Sequence, residues 1–138
     1  MPYRHARVVR PAALVLALAG CASAPLGLEQ ERTYRVEWID EKPLLDGSHL
    51  TITFGADDRA YGTGGCNHWF AGYGLEGPVL RFSKVGSTRR LCSAELMEQE
   101  SRFFEALQQV RRWDVSPLEQ LRLWPEQGKP MRLQLEEG

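Results

Sequence analysis

The chain has 138 residues, enough for one small domain with a modest core. Its 43% hydrophobic and 25% charged residues are ordinary for a globular protein. With 17 Lys and Arg against 18 Asp and Glu the net charge is −1, which excludes a general electrostatic pull toward nucleic acid or anionic lipid heads.

Arg4, Arg7 and Arg10 open the chain without an acidic residue, and the apolar run Ala12 to Leu18 follows. Leu18-Ala19-Gly20-Cys21 then closes the segment as a lipobox would, with two small residues before a cysteine. The run is too short for a bilayer core of about 30 Å, which takes roughly 20 residues. Residues 1–20 are therefore expected to be a bacterial export signal, cut before a Cys21 that carries lipid. Several acyl chains on one cysteine anchor well, whereas one is marginal. Ala22, where an aspartate is absent, points to the outer membrane in a Gram-negative host. Without Arg4, Arg7 and Arg10 the mature chain carries 14 basic against 18 acidic residues, a net of −4.

Residues 21–32 show no periodicity and are read as a lipidated tether, at most roughly 35 Å long. Residues 33–138 form the expected domain, and its pattern is mostly period two, the mark of strands with one buried face. Tyr34, Val36 and Trp38 share a side, and Pro43 to Ser48 make a loop. Leu50, Ile52 and Phe54 share the next inward face, and the turn at Gly55 to Asp58 folds residues 59–64 back as a hairpin. Val79 to Val85 is a further strand. Ser93 can cap a helix with Glu95 in its first turn. Leu96, Met97, Glu100, Phe103, Phe104, Leu107 and Val110 recur at three- and four-residue steps, predicting one amphipathic helix over about 94–110. Trp113 to Val115, Leu121 and Leu123, and Met131, Leu133 and Leu135 complete the strands. The order predicts an α+β domain whose compact antiparallel sheet curls around the helix or closes as a barrel.

Two cysteines remain once Cys21 carries lipid, and in an oxidising compartment Cys66 and Cys92 are expected to pair. Cys66 sits in the densest segment, Gly62 to Gly74, with five glycines, His68 and the aromatics Trp69, Phe70 and Tyr73. A phosphate loop is disfavoured because the segment lacks a Lys-Ser/Thr ending. A Cys66–His68 nucleophile needs a free thiol. A metal site from His49, Cys66, His68 and Cys92 matches no ligand spacing. The plainest reading makes Trp69 and Tyr73 core residues, Cys66 a staple, and His49 and His68 solvent-facing. Thr88-Arg89-Arg90 could grip an anion ahead of the helix. Glu100 lies within the apolar stripe and needs a donor if buried; Arg89 is the candidate.

Gly65-Cys66-Asn67-x-Trp69-x-Ala71-x-Tyr73, Thr88-Arg89-x-x-Cys92 and Met97-x-x-Glu100-x-x-Phe103-x-x-x-Leu107 together resemble the META domain of HslJ-like bacterial lipoproteins. The resemblance spans about Tyr34 to Leu135. It departs at Ala71, where glycine is usual, and at Arg90, where an apolar residue is common. It implies an antiparallel sheet with one helix, usually in the cell envelope, with no implied enzyme activity or cofactor. Some members are associated with heat shock, novobiocin resistance or motility. The expected function is a non-enzymatic envelope lipoprotein, a disulfide-stapled binding or structural module linked to envelope stress or antibiotic resistance. It would be held to the membrane by Cys21 and act on an envelope protein or small-molecule partner. Asn67, His68, Trp69, Tyr73 and Arg89 are the candidate binding residues. The alternatives are an inhibitor of a lysozyme-type hydrolase, a small-ligand carrier using the space near Trp69 and Arg89, and, last, a Cys66/His68 enzyme.

Overall fold

The computed structural model describes residues 1–3, 8–16 and 27–137. The expected lipidation site Cys21 lies outside them, with residues 4–7 and 17–20 of the export signal and residues 22–26 of the tether. No helix among the described residues is long and apolar enough to cross a membrane.

In chain order the elements are β1 (Thr33–Ile39), β2 (Lys42–Pro43), β3 (Thr51–Phe54), β4 (Arg59–Thr63), β5 (His68–Glu76), β6 (Val79–Ser87), α1 (Ala94–Gln109), β7 (Val110–Val115), β8 (Leu121–Pro125) and β9 (Met131–Leu135). Each long strand pairs antiparallel with its neighbours, and β1 pairs with both β3 and β9. Eight strands thus close into a barrel, while the two-residue β2 extends the end of β1. Closure removes the exposed edges that an open sheet of this size would present.

Alternation fills the interior. Ile52 and Phe54 of β3, Trp69, Ala71 and Tyr73 of β5, Leu80 and Phe82 of β6, and Leu121 and Leu123 of β8 are buried. Phe54 lies 5.3 Å from the Tyr73 ring and 6.0 Å from Phe82, and Trp69 lies 5.8 Å from Phe103 of the helix. These spacings suit aromatic packing, mostly edge-to-face.

Two expectations shift. Trp38 was expected inside with Tyr34 and Val36, yet it is 38% exposed and Ile39 is buried instead. The pairing of β1 with β9 slips between Val36 and Trp38, and that bulge moves the inward phase on by one residue. Pro43, expected in a loop, pairs with Trp38 in β2.

The helix begins where expected. The Ser93 hydroxyl accepts from the Leu96 N–H at 3.3 Å, and Glu95 sits in the first turn. It ends at Val110, whose extended backbone starts β7. Between β6 and β7 only Val79 and Arg112 are paired, and α1 packs chiefly on β6, where the sheet opens. Phe103 and Leu107 point into the barrel from that end. At the opposite end, by Phe54 and Gly55, the described part of the expected tether is docked. Leu28 packs on the core, the Glu29 N–H donates to the Tyr34 hydroxyl at 2.9 Å, and the Glu31 N–H donates to the Phe54 carbonyl at 2.7 Å.

Candidate functional site

The glycine-rich segment and the start of α1 meet at a single polar cluster. Glu100 is 3% exposed. Its Oε2 accepts from the backbone N–H of Cys66 at 3.0 Å and of Asn67 at 2.7 Å, and its Oε1 accepts from Asn67 Nδ2 at 2.6 Å. A buried carboxyl group must be satisfied in this way. The expected donor Arg89 takes no part: it is exposed, because the turn between β4 and β5 presents its own N–H groups to Glu100 first. Gly64 makes room for this approach, since a Cβ there would lie 2.7 Å from Glu100 Oε2.

Asn67, 4% exposed, carries the network outward. Its Oδ1 accepts from the Arg90 N–H at 2.6 Å and the Thr88 hydroxyl at 3.0 Å, and its Nδ2 also donates to the Arg90 carbonyl at 3.2 Å. Both backbone groups of Arg90 are therefore held by one side chain. Cys66 and Cys92 form the expected disulfide, with Cα atoms 6.0 Å apart. Thr88 bonds the His68 backbone through its N–H at 3.0 Å, and its hydroxyl accepts from the His68 N–H at 3.1 Å. The loop 88–92 has no helix or strand of its own, yet it is pinned at both ends and in the middle. Its side chains stay outside: Arg89 and Arg90 are exposed and Leu91 is 91% exposed.

The candidate residues thus separate into two groups. Asn67, Trp69 and Tyr73 are scaffold. Trp69 is 1% exposed, with its indole N–H on the Thr51 carbonyl at 3.0 Å, and the Tyr73 hydroxyl donates to the Gly55 carbonyl at 3.0 Å. The space near Trp69 suggested for a carried ligand is filled by Phe82 and Phe103. His68 and Arg89 are accessible. Cys66, being disulfide-bonded, offers no thiolate beside His68. The four residues weighed as metal ligands do not converge: His49 pairs through its ring with Glu136, and the two sulfurs bond each other. Among the described residues no group of three His, Cys, Asp or Glu comes together as a metal site.

Two features were not read from the sequence. Gln99, fully buried on α1, accepts from the Leu45 N–H at 2.7 Å and donates to the Ser48 hydroxyl at 3.1 Å, tying the β2–β3 loop to the helix. On the outer face of β7 and β8, Arg122 grips Asp114 with two bonds of 2.7 and 2.8 Å, and Trp124 Nε1 donates to the same carboxylate at 2.9 Å. The Arg112 and Arg122 guanidinium carbons lie 4.5 and 5.3 Å from the Trp124 ring. Burial pushes the Asp114 carboxyl up, but the bonds from Arg122 and Trp124 and the charges of Arg122 and Arg112 outweigh it, holding the group below the usual range. Asp114 lies directly opposite Arg122 across the ladder, and Arg112 directly opposite Trp124, a relationship visible only once the strands are aligned.

A family model for the META domain matches residues 27–138. Two solved structures are similar in fold. One, the NMR structure of a protein from Burkholderia xenovorans, is 20% identical, with 79% of this chain and 84% of that one covered and a TM-score of 0.65. The other, also an NMR structure, is 23% identical, with 77% and 90% covered and a TM-score of 0.61. No curated protein matches the chain. At these identities the two structures speak for the fold alone.

Proposed function

Since the chain belongs to the META-domain family, we propose that it is a non-enzymatic cell-envelope lipoprotein that acts by binding, in envelope stress or antibiotic resistance. The observation that carries this reading is the loop 88–91, displayed by the Cys66–Cys92 staple and the Asn67 clamp. A loop fixed before it meets a partner loses less conformational entropy on binding, which is how pre-organisation raises affinity. Two arginines and a bare leucine on such a loop suit a partner with an acidic rim and an apolar pocket. Lipid on Cys21 holds the domain to the membrane, on the periplasmic side of the outer membrane in a Gram-negative host. Only residues 22–27 then separate the anchor from docked Leu28, roughly 20 Å at full stretch. The end carrying α1 and the 88–91 loop therefore faces away from the bilayer.

A photo-crosslinking side chain at position 91, in intact envelopes, tests the binding claim. One discrete adduct that disappears when Arg89 and Arg90 are both alanine supports it; indiscriminate adducts, or one indifferent to those arginines, defeats it. Replacing Cys21 with serine should move the protein from the membrane to the soluble fraction, and unchanged fractionation removes the anchor. The rigid protruding loop also favours a second reading, inhibition of a lysozyme-type hydrolase, tested by adding the protein to such an enzyme acting on cell walls.

A further inference from the structure

At the barrel end opposite the 88–91 loop, a cleft of about 630 Å³ opens between the docked segment at Leu28 and the ends of β7, β8 and β9. That volume is within the usual range of ligand pockets, about 300–1,000 Å³. The floor is apolar. Tyr34 and Leu121, 5% and 2% exposed, form it, with half-buried Leu28, Val115 and Leu135 around them.

The rim is dominated by one sign of charge. Glu29, Glu119 and Glu137 stand there against a single cation, Arg32, and Arg32 is already taken by Glu29 at 3.1 Å. The charges beside the cleft do not alter that balance, because they are matched among themselves. Arg35 lies 3.1 Å from Glu37, Arg122 lies 2.7 Å from Asp114, and Glu136 pairs with the His49 ring. Glu119 and Glu137 are exposed to any ligand in the cleft, and neither is in an ion pair among the described residues. A concave surface with apolar walls and carboxylates of one sign focuses its field and concentrates cations. These carboxylates do not converge on one point with a third ligating group, so the arrangement is not that of a bare metal ion.

We propose that this cleft binds a small organic ammonium ion with an apolar body. The ammonium sits at the rim, between Glu119 and Glu137, and the apolar part covers Tyr34, Leu121 and Leu135. The same two carboxylates repel an anion of equal shape, which gives the site its selectivity. The assignment stands apart from the 88–91 loop and does not depend on lipid at Cys21.

NMR of the full chain in nonionic detergent tests it, following the Leu121 and Leu135 amide signals as phenylpropylamine, neutral phenylpropanol or phenylpropionate is added at neutral pH. The protonated amine is expected to shift both signals saturably. The alcohol should bind roughly fivefold more weakly, the loss of attraction to two exposed carboxylates, and the acid more weakly still. Added salt should narrow the gap between amine and alcohol. A double Glu119→Gln, Glu137→Gln variant should bind the amine no better than the alcohol. Its affinity for the alcohol and its melting temperature should match the parent's, which separates lost charge from a damaged fold. An acetylated peptide amide with one lysine between two phenylalanines presents the same head on a protein segment, and should bind more weakly than the free amine. Equal affinity for amine and alcohol, an unaffected double variant, tighter binding of the peptide than of the amine, or no saturable shift at Leu121 and Leu135 overturns the proposal.

Discussion

Glu100 and Asn67, 33 residues apart, meet through two hydrogen bonds of 2.7 and 2.6 Å, one from the Asn67 backbone and one from its side chain. That contact joins helix to barrel. It also sets the position of the asparagine that clamps Arg90, so the interior carboxyl group and the exposed loop belong to one network. Networks of this kind gain when complete and suffer disproportionately when one member is lost.

Glu100→Ala removes the shared acceptor and strands three donors, the Cys66 N–H, the Asn67 N–H and Asn67 Nδ2. At about 1–3 kcal/mol per buried donor left unpaired, and with some relaxation, the loss should be roughly 3–5 kcal/mol in urea unfolding. Arg89→Ala, at an exposed residue that Glu100 does not use, should stay within about 0.5 kcal/mol. Equal effects of the two would return Arg89 to the network.

Opening the Cys66–Cys92 bond frees a loop with a sequence separation of 26. On the chain-entropy account, itself disputed, this should lower stability by about 3.5 kcal/mol. Hydrogen exchange in a double Cys66→Ser, Cys92→Ser variant should show the Arg90 amide losing protection while Ile52 and Ala71 in the barrel keep theirs. Retained protection at Arg90 would make the Asn67 clamp sufficient alone.

Period-two alternation made β3, β8 and β9 legible in the sequence, because each has one face in the core and short turns beside it. The helix was legible to within a residue at either end for a different reason, since Ser93 caps it and Phe103 and Leu107 hold its apolar stripe. Strand β5 was hidden. Its glycines and aromatics look like a loop with chemistry, and only pairing with β4 and β6 shows that Trp69, Ala71 and Tyr73 alternate inward. The bulge at Val36 and Trp38 left no local mark either. The disulfide followed from counting cysteines, whereas the partner of Glu100 did not follow from charge. A nearby arginine attracted the assignment, and backbone N–H groups, invisible to sequence patterns, filled the role.

Gly62 is required by close approach. A Cβ there would fall on the Thr51 carbonyl oxygen, the same atom that accepts the Trp69 indole N–H at 3.0 Å. Gly62→Ala should therefore push β3 aside and break the indole bond, lowering stability by about 2–4 kcal/mol and shifting the Trp69 indole NMR signal. Gly74→Ala, whose Cβ would meet nothing within 4 Å, should be neutral or slightly stabilising. A silent Gly62→Ala would mean that the two strands can separate freely.

Asp114 supplies the acid sensitivity of the outer face. Its carboxyl is held below the usual range, so the unfolded chain binds a proton before the folded one does. The stability it contributes is fully present above about pH 4, the unfolded value, and is lost as pH falls through the lower folded value. With the side chain 39% exposed, solvent screens the pair, and the contribution is modest. Asp114→Asn should flatten the stability profile below pH 4 by a fraction of a kcal/mol to about 1 kcal/mol while leaving the 88–91 loop unchanged. An identical acid limb in the variant would place the sensitivity elsewhere.

The docked approach to the barrel rests on two phenols. Tyr73 donates to the Gly55 carbonyl at 3.0 Å and accepts from Gln30 Nε2 at 3.0 Å, and Tyr34 accepts from the Glu29 N–H. Tyr73→Phe leaves a buried carbonyl without its donor and should lower stability by about 1–2 kcal/mol. It should also speed exchange of the Glu29 and Glu31 amides more than those of β8. Burial, partly countered by the Glu29 bond, pushes the Tyr34 phenol above its ordinary value of 10.0. The unfolded chain then ionises first, so this residue's contribution is complete below pH 10 and declines as pH rises through the folded value. Tyr34→Phe should remove that alkaline decline. If amides 29 and 31 exchange as fast in the parent as in Tyr73→Phe, the segment is not held to the barrel, and the membrane-distal placement of α1 loses its geometric basis.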